Sequence, residues 1–388
     1  MEWRNAVMEL KQELDRLLED FIAHGPAGAS LQVFQHDEPV YSRCIGYANV
    51  EKRQPFALDT ICCLASMTKI IASAAVLQLY EQGRLLLTDP VAEYLPEFKD
   101  HKVFRMDPRG NILEEPARNK MTLAHLFDMT SGITINWHEK NLNSQILSDQ
   151  SDVLDREGRY TLREFARICG TTPSAFEAGE HFYYGQSLDV LAAVLEVITG
   201  QRFGDYLKEH IFDPLGMKDT FFVVPENKKD RLATLYRLED EKRIPLEWPP
   251  LFTTTTYESA CGGLYSTTAD YAAFAQALTL GQYRGVSVLH PRTIRMMATN
   301  RLKGAALEEF SGPYHSGYGY GLAVRTRMNS SEGSITSPGE FGWTGGFGSW
   351  VLMDPATGIT ILYMHQSVPN REEYIHPRIR NIVYAHLG

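Results

Sequence analysis

The chain has 388 residues, of which 44% are hydrophobic and 22% are charged, a composition typical of a globular enzyme that excludes disordered and fibrous proteins. Its length allows one large domain with an inserted lobe, or two domains. The formal net charge is −10, from 48 acidic and 38 basic residues, and lysine and arginine form no basic block, which argues against nucleic acid as a partner.

The N-terminal segment and the cysteines bear on the cellular location. Residues 1–4 begin no apolar run before a small-residue cleavage site, and no stretch approaches the roughly 20 apolar residues of a membrane span. The cysteines form no C-x-x-C pair, and the adjacent two fit a buried strand better than a redox site. They are Cys44, Cys62, Cys63, Cys169 and Cys261. These features predict a cytoplasmic protein with reduced thiols, and no zinc or haem signature points to a cofactor.

The chain begins with a predicted helix and a predicted hairpin. Residues 10–21 carry apolar side chains at helical spacing in a charged segment, which predicts an amphipathic helix that ends near Gly25. Strand-like runs at 29–34 and 40–45 flank a polar turn and predict an antiparallel hairpin. The alanine-rich, apolar run at 67–80 predicts a helix that is buried on most sides.

The rest of the chain divides into a helical middle and a strand-rich end. The middle, about residues 100–250, alternates helical patterns with long polar loops. After about residue 255 a helical pattern at 270–280 is followed by strand-like runs around glycine-rich turns. These runs are 319–324, 349–354 and 359–364.

Strands at both ends of the sequence, with helices between them, predict an α+β fold, an α/β sandwich. The simplest arrangement is one antiparallel sheet flanked by helices and built from residues 1–98 and 255–388. Residues 99–254 would form a mainly helical inserted domain, with the active cleft at the junction.

The segment from Ser66 to Lys69 places a hydroxyl at the start of the predicted helix and an amine three residues later on the same face. A serine becomes a good nucleophile when a base takes its proton, and a lysine is such a base when desolvation lowers its pKa. The apolar residues 70–72 suit that desolvation. On its own, this S-x-x-K pattern also fits a helix cap with a solvated lysine.

Further motifs in the same order give this pattern a context. Residues 121–132 end in Thr-Ser-Gly, residues 214–217 read Pro-Leu-Gly-Met, and residues 262–267 read Gly-Gly-Leu-Tyr-Ser-Thr. With the S-x-x-K segment, these motifs resemble the serine β-lactamase and penicillin-binding-protein superfamily, in its class C and carboxylesterase branch, the family VIII esterases. The resemblance covers nearly the whole chain and implies the β-lactamase/transpeptidase-like fold, with Ser66 and Lys69 as catalytic residues.

The resemblance also implies a catalytic tyrosine in a Y-x-N segment. The best match is Tyr184-Gly185-Gln186, in which Tyr184 would relay protons between the serine and the leaving group. Gln186 departs from the family's asparagine and keeps an amide that is one methylene longer. Tyr183 takes the catalytic position if the register is off by one, and a core role for Tyr184 is the alternative outside the resemblance.

A third motif is the strand segment that contains Trp343-Thr344-Gly345. It resembles the W-x-G form of the esterases, whereas penicillin-recognising relatives have lysine or histidine at the position of Trp343. A lysine there attracts a substrate carboxylate, which Trp343 does not. Gly345 and Gly346 let a substrate lie against the strand edge, and the backbone N–H groups of Gly346 and Ser66 would form the oxyanion hole.

Other catalytic signatures are missing from the sequence. There is no G-x-S-x-G nucleophile elbow and no H-E-x-x-H or similar metal cluster. His125 and His181 lie near motifs, and both are interpreted as hydrogen-bonded structural residues.

These observations favour a carboxylesterase that acylates itself on Ser66, with a small ester or amide as substrate and no metal or cofactor. A β-lactamase, a D-amino-acid peptidase and an acyltransferase would use the same residues, and a non-catalytic sensor with this fold is a further alternative. The loops at 136–159 and 240–257, which contain Trp137 and Trp248, are expected to wall the pocket and set the substrate. The oligomeric state is left open.

Overall fold

The computed structural model describes residues 2–134, 141–240, 242–249, 256–329 and 331–387. The helices are α1 (Glu2–Ala23), α2 (Thr68–Glu81), α3 (Leu123–Phe127), α4 (Leu142–Arg156), α5 (Leu162–Thr171), α6 (Ser187–Thr199), α7 (Phe203–Leu207), α8 (Asp213–Leu215), α9 (Thr268–Leu280), α10 (Pro291–Met297), α11 (Gly304–Phe310) and α12 (Glu372–Leu387). The strands are β1 (Gly28–Gln35), β2 (Glu38–Asn49), β3 (Gln54–Pro55), β4 (Cys62–Cys63), β5 (Lys102–Met106), β6 (Ile112–Pro116), β7 (Leu235–Glu239), β8 (Lys242–Leu246), β9 (Tyr265–Ser266), β10 (Tyr318–Tyr320), β11 (Arg325–Arg327), β12 (Phe341–Thr344), β13 (Trp350–Asp354), β14 (Ile359–His365) and β15 (Ser367–Val368).

The largest sheet has eight antiparallel strands in the order β10-β11-β12-β13-β14-β1-β2-β3. Strand β1 lies between β14 and β2, so that Leu31 pairs with Tyr363 on one side and Arg43 on the other. The N-terminal hairpin therefore continues a sheet that the C-terminal strands begin, as expected from the sequence. The domain boundaries at residues 98/99 and 254/255 stay a prediction.

Helices cover both faces of this sheet. On one face, α1 and α12 pack together over a core that contains Leu14, Leu31, Trp350 and Ile379, all fully buried. On the other face, α9 packs against β13, β14 and β1, and its buried residues join the larger core. The predicted amphipathic helix is confirmed as α1, whose apolar stripe at 10–21 faces the sheet.

Helix α2 is buried on most of its surface, as predicted, and it positions the candidate site. Its residues from Thr68 to Leu77 are all buried, because the helix packs against α6 and α7 and its apolar side chains join the larger core. The helix ends at Glu81, and Gly83 follows with a φ of 68°, a left-handed conformation that favours glycine. Among the described residues, no helix combines the length and apolarity needed to cross a membrane.

The middle of the chain is mainly helical but also contains two hairpins that the sequence pattern did not predict. Strands β5 and β6 pair across a turn in which Gly110, with a φ of 84°, donates its N–H to the Asp107 carbonyl at 2.9 Å. Strands β7 and β8 form the second hairpin, and β15 joins β7 in parallel. The first hairpin is largely exposed, so it lacks the buried alternation by which strands are recognised.

Two other predictions from the sequence are wrong. The single strand expected at 319–324 is instead β10 and β11 with a turn between them, where Ala323 adopts a φ of 65°. The loop expected at 136–159 contains α4, which begins with a capping box between Asn141 and Ser144. Helix α4 was missed because Leu147 and Leu154 are its only buried leucines and the sequence around them is polar. Trp137 lies outside the described residues.

Candidate active site

Ser66 lies in a short 3₁₀ turn, Ala65–Met67, between β4 and α2, and its side chain opens onto a cavity. Strand β4 pairs with β9, and the Leu64 N–H donates to the Leu264 carbonyl at 2.9 Å. The glycine-rich motif at 262–267 therefore holds the segment that leads into the turn with Ser66. Ser66 is 7% exposed, as expected for a reactive group inside a cleft.

The residue before Ser66 has an unusual backbone conformation. Ala65 has a φ of 45°, in the left-handed region that costs an alanine about 1–2 kcal/mol. Pairing of β4 with β9 on one side and helix α2 on the other hold this conformation. Such local strain is typical of functional turns, and nothing in the sequence around Ala65 signals it.

Lys69 lies one helical turn from Ser66 and is 1% exposed. Its Nζ atom is 3.2 Å from Ser66 Oγ and donates to the Cys261 carbonyl at 2.6 Å. The same atom lies 4.6 Å from the centre of the Tyr184 ring. A lysine is rarely buried so completely unless its amine is paired, and here three groups surround it.

The charge state of Lys69 differs from the expectation. Burial by itself lowers the pKa of the Lys69 amine, but the interactions with Tyr184, Cys261 and Asp189 outweigh burial and raise that pKa above its usual value. Burial therefore acts in the expected direction, but groups that are distant in the sequence outweigh it, so the net pKa is raised where the sequence predicted a lowered one. At neutral pH Lys69 is an ammonium.

Tyr184 reaches the site from the loop before α6. The Tyr183 N–H donates to the Met129 carbonyl at 3.0 Å, and Ser131 Oγ and Ser187 Oγ lie 2.7 Å apart, so the end of the 121–132 segment holds this loop at both ends. Of the two neighbouring tyrosines, Tyr184 is the one that lines the cavity. Its Oη atom accepts a hydrogen bond of 2.8 Å from Trp343 Nε1.

The end of β12 forms another wall of the site. A Cβ atom at Gly345 would overlap the Leu64 carbonyl oxygen and Ser349 Oγ, which themselves are hydrogen bonded at 2.8 Å. Glycine is therefore needed for β12 to approach the segment before Ser66. At Gly346 a Cβ atom would meet nothing within 4 Å, and this residue lines the cavity together with Ser66.

The other sequence candidates lie close to the site or beside it. Gln186 is partly buried just before α6 and is not among the described residues that line the cavity. His125 closes a capping box with Thr122 at the start of α3, and His181 contacts Glu309 at 2.6 Å. Trp248 packs against Phe347 with the ring centres 5.4 Å apart. Within the described ranges, no cluster of histidine, cysteine and carboxylate side chains could hold a metal ion.

The cavity has a volume of about 620 Å³, and its lining is mixed in character. One side is aromatic and is formed by Phe182, Tyr184, Phe310, His315 and Trp343. Burial and the nearby Arg325 guanidinium lower the pKa of His315 to about 4, so its ring is neutral at pH 7. This wall offers apolar surface to a substrate.

The cavity lining also contains polar side chains. Arg325 contributes a buried guanidinium, which is paired with the Glu340 carboxylate at 3.3 Å. Glu372 lies nearby, and burial raises the pKa of its carboxyl group. Sequence reasoning missed all of these polar residues and the Cys261 carbonyl, since none belongs to a motif with a chemical signature.

Comparison with known proteins assigns the chain to a family. The family model described as Beta-lactamase matches residues 14–384. Esterase EstB of Burkholderia gladioli is 30% identical over 360 residues, 87% of this chain and 85% of the esterase. Monacolin J acid methylbutanoyltransferase of Aspergillus terreus is 25% identical over 354 residues, 85% of this chain and 83% of the transferase.

A solved structure confirms the predicted fold. EstCE1, described as a hydrolase with promiscuous acyltransferase activity, superposes with a TM-score of 0.80 at 22% identity, covering 98% of this chain and 99% of that one. At this identity the likeness shows the β-lactamase/transpeptidase-like fold alone. Because the family model covers nearly the whole sequence, the chain belongs to the beta-lactamase family of serine hydrolases.

Proposed function

We propose that the protein is a carboxylesterase that forms an acyl-enzyme on Ser66 with small carboxylic esters. The observation that carries this proposal is the position of Lys69 Nζ, which is 3.2 Å from Ser66 Oγ and lies over the Tyr184 ring. A hydroxyl, an amine and a phenol thus meet beside one cavity, and such a set can supply the nucleophile and the proton carrier that acyl transfer through a serine needs.

In the proposed acylation, Ser66 Oγ attacks the ester carbonyl carbon and its proton passes to the Tyr184 oxygen. The Lys69 amine lies over the Tyr184 ring and the Trp343 N–H donates to the Tyr184 oxygen, and both contacts favour negative charge at that oxygen in the proton-transfer step. Lys69 therefore acts as a fixed cation beside the base. This assignment follows from its raised pKa.

The remaining steps return the enzyme to its starting state. The tetrahedral intermediate carries an oxyanion, for which the backbone N–H groups of Ser66 and Gly346 are the proposed donors. The C–O bond to the alcohol breaks as Tyr184 gives its proton to the leaving oxygen, leaving an ester on Ser66. Water then attacks that ester, gives one proton to Tyr184 and releases the carboxylic acid, and Ser66 regains its proton.

The cavity favours uncharged esters over β-lactam antibiotics. Trp343 stands where penicillin-recognising relatives carry lysine or histidine, so the cavity lacks a cation at that point for the antibiotic carboxylate. The Arg325 guanidinium is partly neutralised by Glu340. The aromatic wall suits apolar acyl or alcohol groups, and EstB, an esterase by name, is a relative over most of its length.

Acyl transfer to an alcohol is the second candidate. A cavity of about 620 Å³ is large enough to hold an acyl group and a second small molecule, and two of the similar proteins are described as acyltransferases or as having that activity. A D-amino-acid peptidase or β-lactamase has less support because of Trp343. A sensor would have no need of the assembled serine, lysine and tyrosine.

The free thiols support the proposed cytoplasmic location.

The test compares short-chain p-nitrophenyl esters with a chromogenic cephalosporin. We expect a much larger kcat/KM for the ester, and a mass increase on the protein after treatment with a fluorophosphonate. Ser66→Ala is expected to lose both. Ser73→Ala, a matched control that removes a buried hydroxyl from α2, the helix that follows Ser66, is expected to keep them. A larger kcat/KM for the cephalosporin would contradict the esterase assignment, and product analysis with an added alcohol would reveal acyl transfer.

A further inference from the structure

Asp189 is a buried carboxylate beside the site that the proposed acylation steps do not use. It lies in the first turn of α6, five residues after Tyr184, and is 0% exposed. A carboxylate in the protein interior is strongly unfavourable unless hydrogen bonds and opposite charge compensate for lost water. The surroundings of Asp189 therefore indicate what its charge is used for.

The carboxylate accepts three hydrogen bonds from one short segment, residues 257–261. The donors are Tyr257 Oη at 2.8 Å, Ser259 Oγ at 3.2 Å and the Cys261 backbone N–H at 3.0 Å. Tyr257 in turn stacks on Tyr160, with the ring centres 4.0 Å apart. Asp189 thus ties both ends of this segment to helix α6.

The same segment contacts the Lys69 amine. Cys261, whose N–H is held by Asp189, presents its carbonyl oxygen to Lys69 Nζ at 2.6 Å, and Nζ is 3.2 Å from Ser66 Oγ. A chain of hydrogen bonds therefore runs from Asp189 through Cys261 and Lys69 to the nucleophile. A shift of the 257–261 segment would move the acceptor that holds the amine against Ser66.

The charge of Asp189 also acts on Lys69. The titratable groups that face the carboxylate are Tyr160, Cys169, Tyr257, Cys261 and Lys69. Burial raises the pKa of each of the two tyrosines and two thiols, so they are neutral at pH 7 and Lys69 is the one cation among them. Burial raises the pKa of Asp189 too, while its hydrogen bonds and Lys69 oppose that rise.

We propose that Asp189 is a positioning residue: through the 257–261 segment it holds the Lys69 amine against Ser66, and it places a carboxylate near that amine. This inference rests on the proposed function, in which Lys69 is the fixed cation beside Tyr184. It assigns a role to a residue that touches neither the substrate nor the nucleophile.

The test is Asp189→Asn, which keeps the size of the side chain and removes its charge. We expect kcat to fall about tenfold or more, because Lys69 is no longer held in place beside Tyr184, the proposed base. KM should be nearly unchanged, because the cavity wall stays intact. We also expect the alkaline limb of the kcat profile to move to lower pH. The sign follows from charge: without a nearby anion the Lys69 ammonium loses its proton more easily.

Asp354→Asn is the matched control. Asp354 is also 0% exposed and accepts from a tyrosine, Tyr384, at 2.7 Å and from the Ala356 N–H at 3.0 Å, but it lies at the end of β13 on the other core. A general loss of stability would affect both variants, whereas the alkaline limb should move in Asp189→Asn alone. An unmoved limb in Asp189→Asn, or an equal shift in Asp354→Asn, would overturn the proposal.

A second variant covers the case in which Asp189→Asn does not fold. Tyr257→Phe combined with Ser259→Ala keeps the carboxylate and removes two of its three donors, so kcat should fall while the alkaline limb stays in place. An unchanged kcat overturns the proposal. Failure of the proposed function gives a different result from failure of this inference. If the proposed function is wrong, the wild-type protein shows no Ser66-dependent labelling by a fluorophosphonate. If only the role of Asp189 is wrong, Asp189→Asn is labelled at the wild-type rate.

Discussion

The indole N–H of Trp343 donates a hydrogen bond of 2.8 Å to Tyr184 Oη, and the two rings lie 5.3 Å apart. This bond joins the end of β12 to the loop before α6, so it ties the sheet to the helical part of the chain at the cavity. A neutral donor stabilises negative charge on the phenol oxygen without adding a charge of its own. The bond therefore gives the oxygen of Tyr184, the proposed base, a polar partner without adding a charge to the aromatic wall of the cavity.

Replacing Trp343 with phenylalanine tests this bond. The ring and most of the apolar surface stay, while the N–H that donates to Tyr184 is lost. We expect kcat on a p-nitrophenyl ester to fall by up to about tenfold, since one hydrogen bond of this kind contributes roughly 0.5–1.5 kcal/mol. Trp350→Phe is the control, because Trp350 is fully buried in the core under α1 and α12. Equal loss in both variants would indicate packing as the cause.

Kinetics of single variants should reveal the contributions of Lys69 and Tyr184 separately from that of Ser66. Lys69→Met and Tyr184→Phe should each lower kcat by about a hundredfold or more, because Tyr184 is the proposed base and Lys69 is the proposed cation beside it. Lys69 is buried and Tyr184 lines the cavity, so either substitution could change stability, and thermal midpoints should be measured alongside. Near-normal kcat in a folded variant would remove that residue from the proposed mechanism.

The sequence predicted the parts of this protein that follow from local pattern. The apolar stripe of α1, the hairpin of β1 and β2 and the buried helix α2 all carry strong periodicity, and the structure confirms them. The strand expected at 319–324 failed because a turn at residues 321–324 interrupts it, and within that turn the residue with a positive φ is Ala323 and not Gly321. Local pattern does not reveal a strained alanine.

The features of the site likewise divide into those that the sequence predicted and those that it did not. Ser66, Lys69, Tyr184 and Trp343 belong to recognisable motifs, and the structure brings them to one cavity. The pKa of Lys69 was misjudged because it depends on Asp189, Cys261 and Tyr184, which approach from more than a hundred residues away. Electrostatic surroundings of this kind are set by tertiary structure, so neighbours in the sequence do not report them.

Gly345→Ala tests the close approach of β12 to the nucleophile segment. A methyl group at this position would overlap the Leu64 carbonyl oxygen and Ser349 Oγ, so the strand end must move away from Ser66. We expect a loss of about 1–3 kcal/mol in the free energy of unfolding and a fall of about a hundredfold in kcat/KM. Gly312→Ala, where a Cβ atom meets nothing within 4 Å and φ is −126°, should change neither quantity appreciably.

The last prediction concerns acid stability and follows from His315. This ring stacks on Phe310 with the centres 4.6 Å apart, and burial followed by the Arg325 charge lowers its pKa from 6.5 to about 4. Below pH 6.5 the unfolded chain takes up a proton that the folded His315 does not accept until the pH nears 4. The free energy of unfolding therefore contains a contribution that is present above pH 6.5 and is lost as the pH falls towards 4.

Each pKa unit corresponds to about 1.4 kcal/mol, so His315 alone accounts for roughly 2–3 kcal/mol of this loss after allowing for its partial exposure. His315→Phe keeps a ring against Phe310 and removes the titration. Urea unfolding of wild type and variant between pH 7.5 and pH 4.5 measures the difference. Buried His365 and His376 have pKa values shifted in the same direction, so wild type and variant should both lose stability in acid, the variant by less. Parallel losses in the two proteins would show that His315 is not the group responsible, since the variant retains every other titrating side chain.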